Sequence, residues 1–438
     1  MRIFSSKCEV IRFAAIVLGL LVFLALIDPA VLYADKKKKK DEAPAPEQTA
    51  LYNKLDLSKI VWPNPPAITR IKYLNYFCCQ KYVPKAPSKK SSWMDRMAGG
   101  QTDAQQQAEH PLFALWTPYG VVTDSKGNLY VADGKVGAVF IFDTETKDLR
   151  MIKHGVHARF GDIIGLAIDD SDRLFVSDTK MHRILVFDKN YKVEGSIGDG
   201  ITDPGGMVVD NENRFLYVAD GALDQVVVYD ADKLTLIRRI GVAGKGHTLT
   251  EPGTFSYPTN VALDADNNLY VTDTYNNRVE VFDADGNFIR QWGKAGDRPG
   301  TFARPKGIAI DVDGHVWVAD AVQDRVQCFT PDGHLLIWMG GHGQLPGMFQ
   351  TLAGLWIDKQ NRIFTSEQYP GRVQMFRYVP DADARAEWDK RQAAEKLKSA
   401  GTTTSTASTS AKPAAPAPTP AASAPAPATT TPAVPKPQ

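Results

Sequence analysis

The sequence predicts an all-β fold, a six-bladed β-propeller closed by an N-terminal strand, with short helical and disordered tails. Three observations predict it. A unit with a period in the forties recurs six times. Each copy is a set of short apolar runs divided by Asp, Asn and Gly. The last copy lacks one run, and a spare run lies ahead of the first copy.

The six copies begin at Pro118 (PYGVVTDSKGNLYVAD), Ile164 (IGLAIDDSDRLFVSD), Pro204 (PGGMVVDNENRFLYVAD), Pro258 (PTNVALDADNNLYVTD), Pro305 (PKGIAIDVDGHVWVAD) and Leu352 (LAGLWIDKQNRIFTSE). A third run follows in each: AVFIF, RILVF, QVVVY, RVEVF, RVQCF and RVQMF. The first acidic residue of each unit is Asp124, Asp169, Asp210, Asp264, Asp311 and Asp358, at spacings of 45, 41, 54, 47 and 47 residues. The runs are β-branched and aromatic, and the turns between them carry residues that tolerate tight bends, so they read as strands. A fourth run closes units one to five, and four strands at this period is the arithmetic of a propeller blade. Unit six has no fourth run before Pro380. The run from Arg70 (RIKYLNYF) is expected to dock there, which removes two unpaired sheet edges.

The expected organisation is a signal peptide or membrane anchor over 1–34, a charged Pro/Ala linker over 35–58, the propeller over 59–378 with an insert at 78–110, an exposed helix over 379–398, and a disordered tail over 399–438. The start has a basic stretch (Arg2, Lys7, Arg12), an apolar run over 14–27 and a small residue, Ala34, at a possible cleavage point. An uncleaved helix over roughly 13–34 would instead span a bilayer. Either way the chain is expected to be exported, to the periplasm or the extracytoplasmic face of a bacterial membrane, touching membrane only through this segment. Lys36 to Lys40 work against translocation and are read as a solvated spacer. The tail is almost entirely Ala, Pro, Thr and Ser and has too little apolar surface to offset its ordering entropy.

Charge is balanced, with 51 basic and 50 acidic residues, which argues against a nucleic-acid partner. The four cysteines are too few for a disulfide scaffold. Cys78 and Cys79 end the spare run, and in an oxidising compartment they are candidates for a vicinal disulfide, with packed thiols as the alternative. Cys328 aligns with apolar core positions.

The pattern Pro-x-Gly-apolar-Ala-apolar-Asp, then Leu-Tyr-Val-Ala-Asp, then Asn-Asn-Arg-Val-x-Val-Phe resembles the NHL repeat. Units four and five carry it most closely. The leading WPNPP from Trp62 and the insert from Lys90 (KSSWMDRMAGG) resemble exported bacterial propellers of this kind. The resemblance implies a six-bladed ring and leaves function open, because this architecture hosts unrelated activities. NHL-like lyases bind zinc through channel histidines, and propeller lactonases bind calcium through a Glu/Asn/Asp set. Here His154, His157, His182, His247 and His342 match no such motif, and the inner runs are apolar apart from Thr123 and Asn260. No cofactor or metal is expected, with zinc or calcium as the alternatives should the protein be an enzyme.

The acids that close the second run are Asp133, Asp178, Asp220, Asp273, Asp320 and Glu367. In four units an arginine follows five positions later (Arg183, Arg278, Arg325, Arg372), and an ion pair that fixes the loop is expected. Unit one has Ala138 there, which singles out Asp133. Binding is expected on the face made by the inter-blade loops and the second-to-third-strand loops, which vary most between units. That face carries Tyr119, His247, Tyr257, Tyr275, Arg304, Lys306, His342 and Tyr369. Aromatic and basic residues on rigidly held loops suit a protein, peptide or glycan ligand. The expected role is a binding or scaffold module; the alternative is a metal-dependent lyase or lactonase with its site at the channel mouth.

Overall fold

A computed structural model describes residues 55–79, 113–153, 159–242 and 250–403. The N-terminal segment, most of the linker, the insert beyond Cys79, His154, His157, His247 and the tail beyond Thr403 lie outside the described residues. No helix among the described residues is long and apolar enough to cross a membrane.

Six antiparallel sheets form the ring, five of four strands and one of five. The inner strands are Pro118–Thr123, Ile163–Ile168, Pro204–Asp210, Pro258–Leu263, Pro305–Ile310 and Leu352–Ile357. Second and third strands such as Leu129–Asp133 and Ala138–Phe142 are buried along their whole length, whereas outer strands such as Val193–Ile197 alternate. The reason is packing on both faces: each sheet lies between two others, and the core is a set of apolar layers between neighbouring blades. The layer between blades four and five, for example, joins Tyr270, Val279 and Val281 to Phe302, Ile308 and Phe329.

The clasp forms as expected. Ile71–Phe77 pairs antiparallel with Arg372–Tyr378 as the outer strand of blade six. A fifth strand, Val61–Trp62, then pairs on the clasp. Leu57, Ile60 and Trp62 pack on the blade-six core, so the linker ends sooner than residue 58. Asp56 caps the short 3-10 turn Leu57–Lys59 by accepting the Ser58 N–H. The C-terminal helix runs Asp381–Thr403, ending past the expected residue 398. Arg70 beside the clasp pairs with Asp381 at the helix start.

The repeated first acids make the hairpins of one face. Each accepts two backbone N–H groups of its own turn, as Asp264 does from Asp266 and Asn268 and Asp311 from Asp313 and His315. These turns place Gly127, Asn267, Gly314 and Asn361 in the left-handed region, which is why Gly and Asn recur there.

Candidate functional site: the channel mouth

Each inner strand starts on the variable-loop face and ends at its aspartate turn on the other. The third residue of five of these starts is glycine, with Asn260 in blade four. A Cβ at Gly165 would stand 2.0 Å from the Gly205 carbonyl oxygen, and one at Gly354 2.1 Å from that of Tyr119. The inner strands therefore approach too closely for larger side chains. The channel they enclose is a cavity of about 120 Å³ lined by apolar groups including Val121, Leu166, Val261, Ile308 and Trp356. Trp356 donates its indole N–H to Thr123, which uses that strand's polar side chain.

The second-strand acids are buried. They accept backbone N–H groups from the loop that enters their own blade. Asp133 accepts from Trp116 and Thr117, Asp178 from Gly161 and Asp162, Asp220 from Thr202 and Asp203, and Asp320 from Ala303 and Arg304. The expected acid–arginine pairs form in two units only, Arg278–Asp273 and Arg372–Glu367, both at 2.8 Å. Arg183 instead donates to the Arg159 carbonyl, and Arg325 donates to the Asp297 carbonyl and lies over Trp338. Loop N–H groups already satisfy Asp178 and Asp320, so the arginine is dispensable there. Asp133 is the same device without an arginine: a fully buried carboxylate that fixes the loop bearing Trp116.

The asymmetry lies one step inward. The second residues of the inner strands ring the mouth: Tyr119, Ile164, Gly205, Thr259, Lys306 and Ala353. Tyr119 and Lys306 are the long polar side chains among them, and they meet, with Lys306 Nζ 5.4 Å from the centre of the Tyr119 ring. Arg304 lies over Tyr275 at 5.3 Å, and Tyr275 stacks on Tyr257 with ring centres 5.3 Å apart. Tyr257 donates its hydroxyl to Asp203 at 3.0 Å. Four of the expected residues, Tyr119, Tyr275, Arg304 and Lys306, thus form two cation–ring pairs at the mouth, drawn from three blades. Their backbones are held: Ser366 donates to the Tyr119 carbonyl, and Thr272 to that of Lys306 at 2.9 Å.

Burial and the neighbours Tyr257, Asp203 and Tyr275 push the Tyr119 phenol well above its usual range. Burial, then Asp203, pushes that of Tyr257 up to about 12. Burial and the Arg304 charge lower the Lys306 ammonium. Tyr119 and Tyr257 therefore stay protonated donors at neutral pH.

Other expected residues stand apart from this cluster. His342 is exposed and bonds Asp324 at 2.7 Å and the Gln350 side chain. Tyr369 is exposed on the blade-six loop with no ring contact to the cluster. Cys78 and Cys79 are free thiols. Neighbouring Cα atoms sit about 3.8 Å apart, short of the usual disulfide span. Trp116, 66% exposed at the entry to blade one, was not singled out in the sequence. Its signal was available, since no other unit has an aromatic two residues before the inner strand.

The mouth does not fit a metal ion. Lys306 and Arg304 place positive charge there, and the nearby acid, Asp203, already accepts the Tyr257 hydroxyl. Among the described residues the metal-ligating types cluster at Asp311, His315 and Cys328, at the opposite end of blade five. Asp311 and His315 there repeat the turn bond that Asp264 and Asn268 make in blade four.

Comparison with known proteins agrees with this architecture. A family described as a six-bladed β-propeller matches residues 254–326, and the NHL repeat matches residues 160–187. The Drosophila melanogaster protein brain tumor is 44% identical over 46 residues, 10% of this chain and 4% of that protein, so the chain spans a small fraction of that relative. A structural genomics protein of unknown function from Bacteroides thetaiotaomicron is 15% identical with a TM-score of 0.50, covering 61% of this chain and 70% of that one. Virginiamycin B lyase from Staphylococcus aureus is 13% identical with a TM-score of 0.44, covering 60% of this chain and 95% of that one. At these identities the likeness extends to the fold.

Proposed function

We propose that this six-bladed β-propeller, which the NHL repeat matches over residues 160–187, is a binding module that takes a protein or peptide ligand on its variable-loop face. The observation that carries this reading is the pairing of Lys306 with Tyr119 and of Arg304 with Tyr275 at the channel mouth. A ring of copied blades has no structural need for such a group at one side of the mouth. The loops entering blade one and within blade six add the exposed aromatics Trp116 and Tyr369. Tryptophan, tyrosine and arginine dominate binding hot spots, and a prearranged surface loses little entropy on association. The N-terminal basic and apolar segment supports placing the module outside the cytoplasm. The alternative, a metal-dependent lyase or lactonase at the same mouth, would need a donor set that the described mouth residues do not supply.

The test is selection of ligands from a displayed random-peptide library on the full chain. The selected peptides should bind the triple variant Tyr119→Ala, Tyr275→Ala, Lys306→Ala at least about 100-fold more weakly, as removal of several hot-spot residues implies. The melting temperature should be retained. Ligands that survive this change but are lost when the 78–110 insert is altered would move the interface to the insert.

A further inference from the structure

We propose that the channel mouth is a carboxylate-binding site, in which Lys306 and Arg304 hold the anion and Tyr119 and Tyr275 flank the flat or apolar group attached to it. The inference deepens the reading above and rests on the same face being the interface. Its basis is a charge left unanswered. Lys306 is half-buried, yet its ammonium makes no hydrogen bond or ion pair among the described residues and faces the Tyr119 ring. Arg304 is likewise without an ion pair, and its guanidinium lies over Tyr275. Elsewhere in the ring the buried arginines have partners, as Arg278 has Asp273 and Glu280, and Arg372 has Glu367. Placing a cation on a ring face without an anion leaves its donors free for a ligand.

The surroundings select the anion further. Asp203 accepts the Tyr257 hydroxyl beyond the stacked pair, so it does not neutralise either cation by contact. The Tyr119 hydroxyl remains protonated and adds a donor. Arginine presents a planar fork that matches a carboxylate, and lysine adds a point charge from the side. Below the mouth the cavity of about 120 Å³ is apolar and admits only a small group. A ligand with a carboxylate joined by a short link to an aromatic or aliphatic group satisfies all three features. The C-terminus of a peptide ending in an apolar residue has that chemistry, and so does a free small acid.

The probes are 3-phenylpropionate and its amide, and an N-acetylated tripeptide ending in phenylalanine with a free or an amidated C-terminus. They are titrated onto the full chain by calorimetry and by NMR. A ligand of this size is expected to bind in about the millimolar range. The carboxylate probes should bind saturably, more weakly at high salt, and the amides at least about 10-fold more weakly. Lys306→Met and Arg304→Met should each lose about 10-fold, and Lys306→Arg should retain most of the affinity. A tripeptide that binds more tightly than 3-phenylpropionate assigns the site to chain termini; equal affinity assigns it to small acids. Equal binding of acid and amide, or no binding of any acid probe, overturns the proposal. If library-selected ligands depend on Tyr119 and Tyr275 but are indifferent to Lys306→Met and Arg304→Met, the face is the interface and the carboxylate site is wrong. Arg304 is exposed, so its variant separates loss of binding from loss of fold.

Discussion

Glu280 sits fully buried on the third strand of blade four, 2.6 Å from Arg278 and accepting the Gly253 N–H at 2.8 Å. Burial outweighs both partners and pushes its carboxyl up to about 7. A carboxyl whose folded value lies above its unfolded value holds its proton more tightly when folded. Stability therefore falls as pH rises from about 4.5 to about 7, by about 3 kcal/mol for this group. Blades five and six do the same job with neutral amides: Gln327 accepts the Gly300 N–H, and Gln374 that of Gly347. Glu280→Gln should thus keep the bond, raise the melting temperature at pH 8, and flatten the decline in stability between pH 4.5 and 7. A variant with the same pH profile as the parent, read by thermal melts across that range, would put the titrating group elsewhere. At this scale the sequence was only partly legible. The mouth residues Tyr119, Arg304 and Lys306 were legible as aromatic and basic residues on the face whose loops vary most between units. The two missing acid–arginine pairs were not, because spacing along the strand cannot say whether backbone N–H groups will satisfy the acid first.

The inter-blade connections of blades four to six share an element that the repeat alignment passes over. Pro-Gly-x-Phe recurs at Pro252–Phe255, Pro299–Phe302 and Pro346–Phe349. Each phenylalanine is buried as a wedge between blades. Each packs on a left-handed glycine that ends the preceding outer strand or follows it: Gly241, Gly293 and Gly340. A Cβ at Gly340 would stand 2.3 Å from the Phe349 ring, with φ at 99°. Gly340→Ala should cost about 2–4 kcal/mol, combining the left-handed penalty with overpacking. Gly314→Ala is the control: its φ is 82° but nothing lies within 4 Å, so about 1 kcal/mol is expected. Equal losses in chemical denaturation would mean that the wedge contact carries nothing. The motif escapes a strand-by-strand reading because it falls in the segments of variable length, where units cannot be laid over one another.

On the scale of the whole ring, closure was legible from counting runs: five complete units, one short by a strand, and one spare strand ahead of them. The fifth strand Val61–Trp62 was not, since two residues carry no periodicity. It adds to the closure by laying Trp62 edge-on to Phe376 at 5.7 Å, on the core that Ile71 and Tyr73 complete. Deleting residues 59–77 should therefore bare the edge of Arg372–Tyr378, lower the melting temperature by several degrees and promote aggregation. An unchanged melt would mean that the ring closes without its clasp. The same closure gives the binding reading its rigidity, since six locked blades hold the mouth residues in register.

Hydrogen exchange of the full chain, with and without a library-selected peptide, tests the binding reading most directly. Protection should concentrate in the backbone of Trp116–Gly120, Ser256–Asn260, Thr274–Asn277 and Ala303–Gly307, with the opposite hairpins at Asp266–Asn268 and Asp313–Gly314 unaffected. Protection confined to those hairpins, or to residues 78–110, would contradict a ligand seated on the channel mouth.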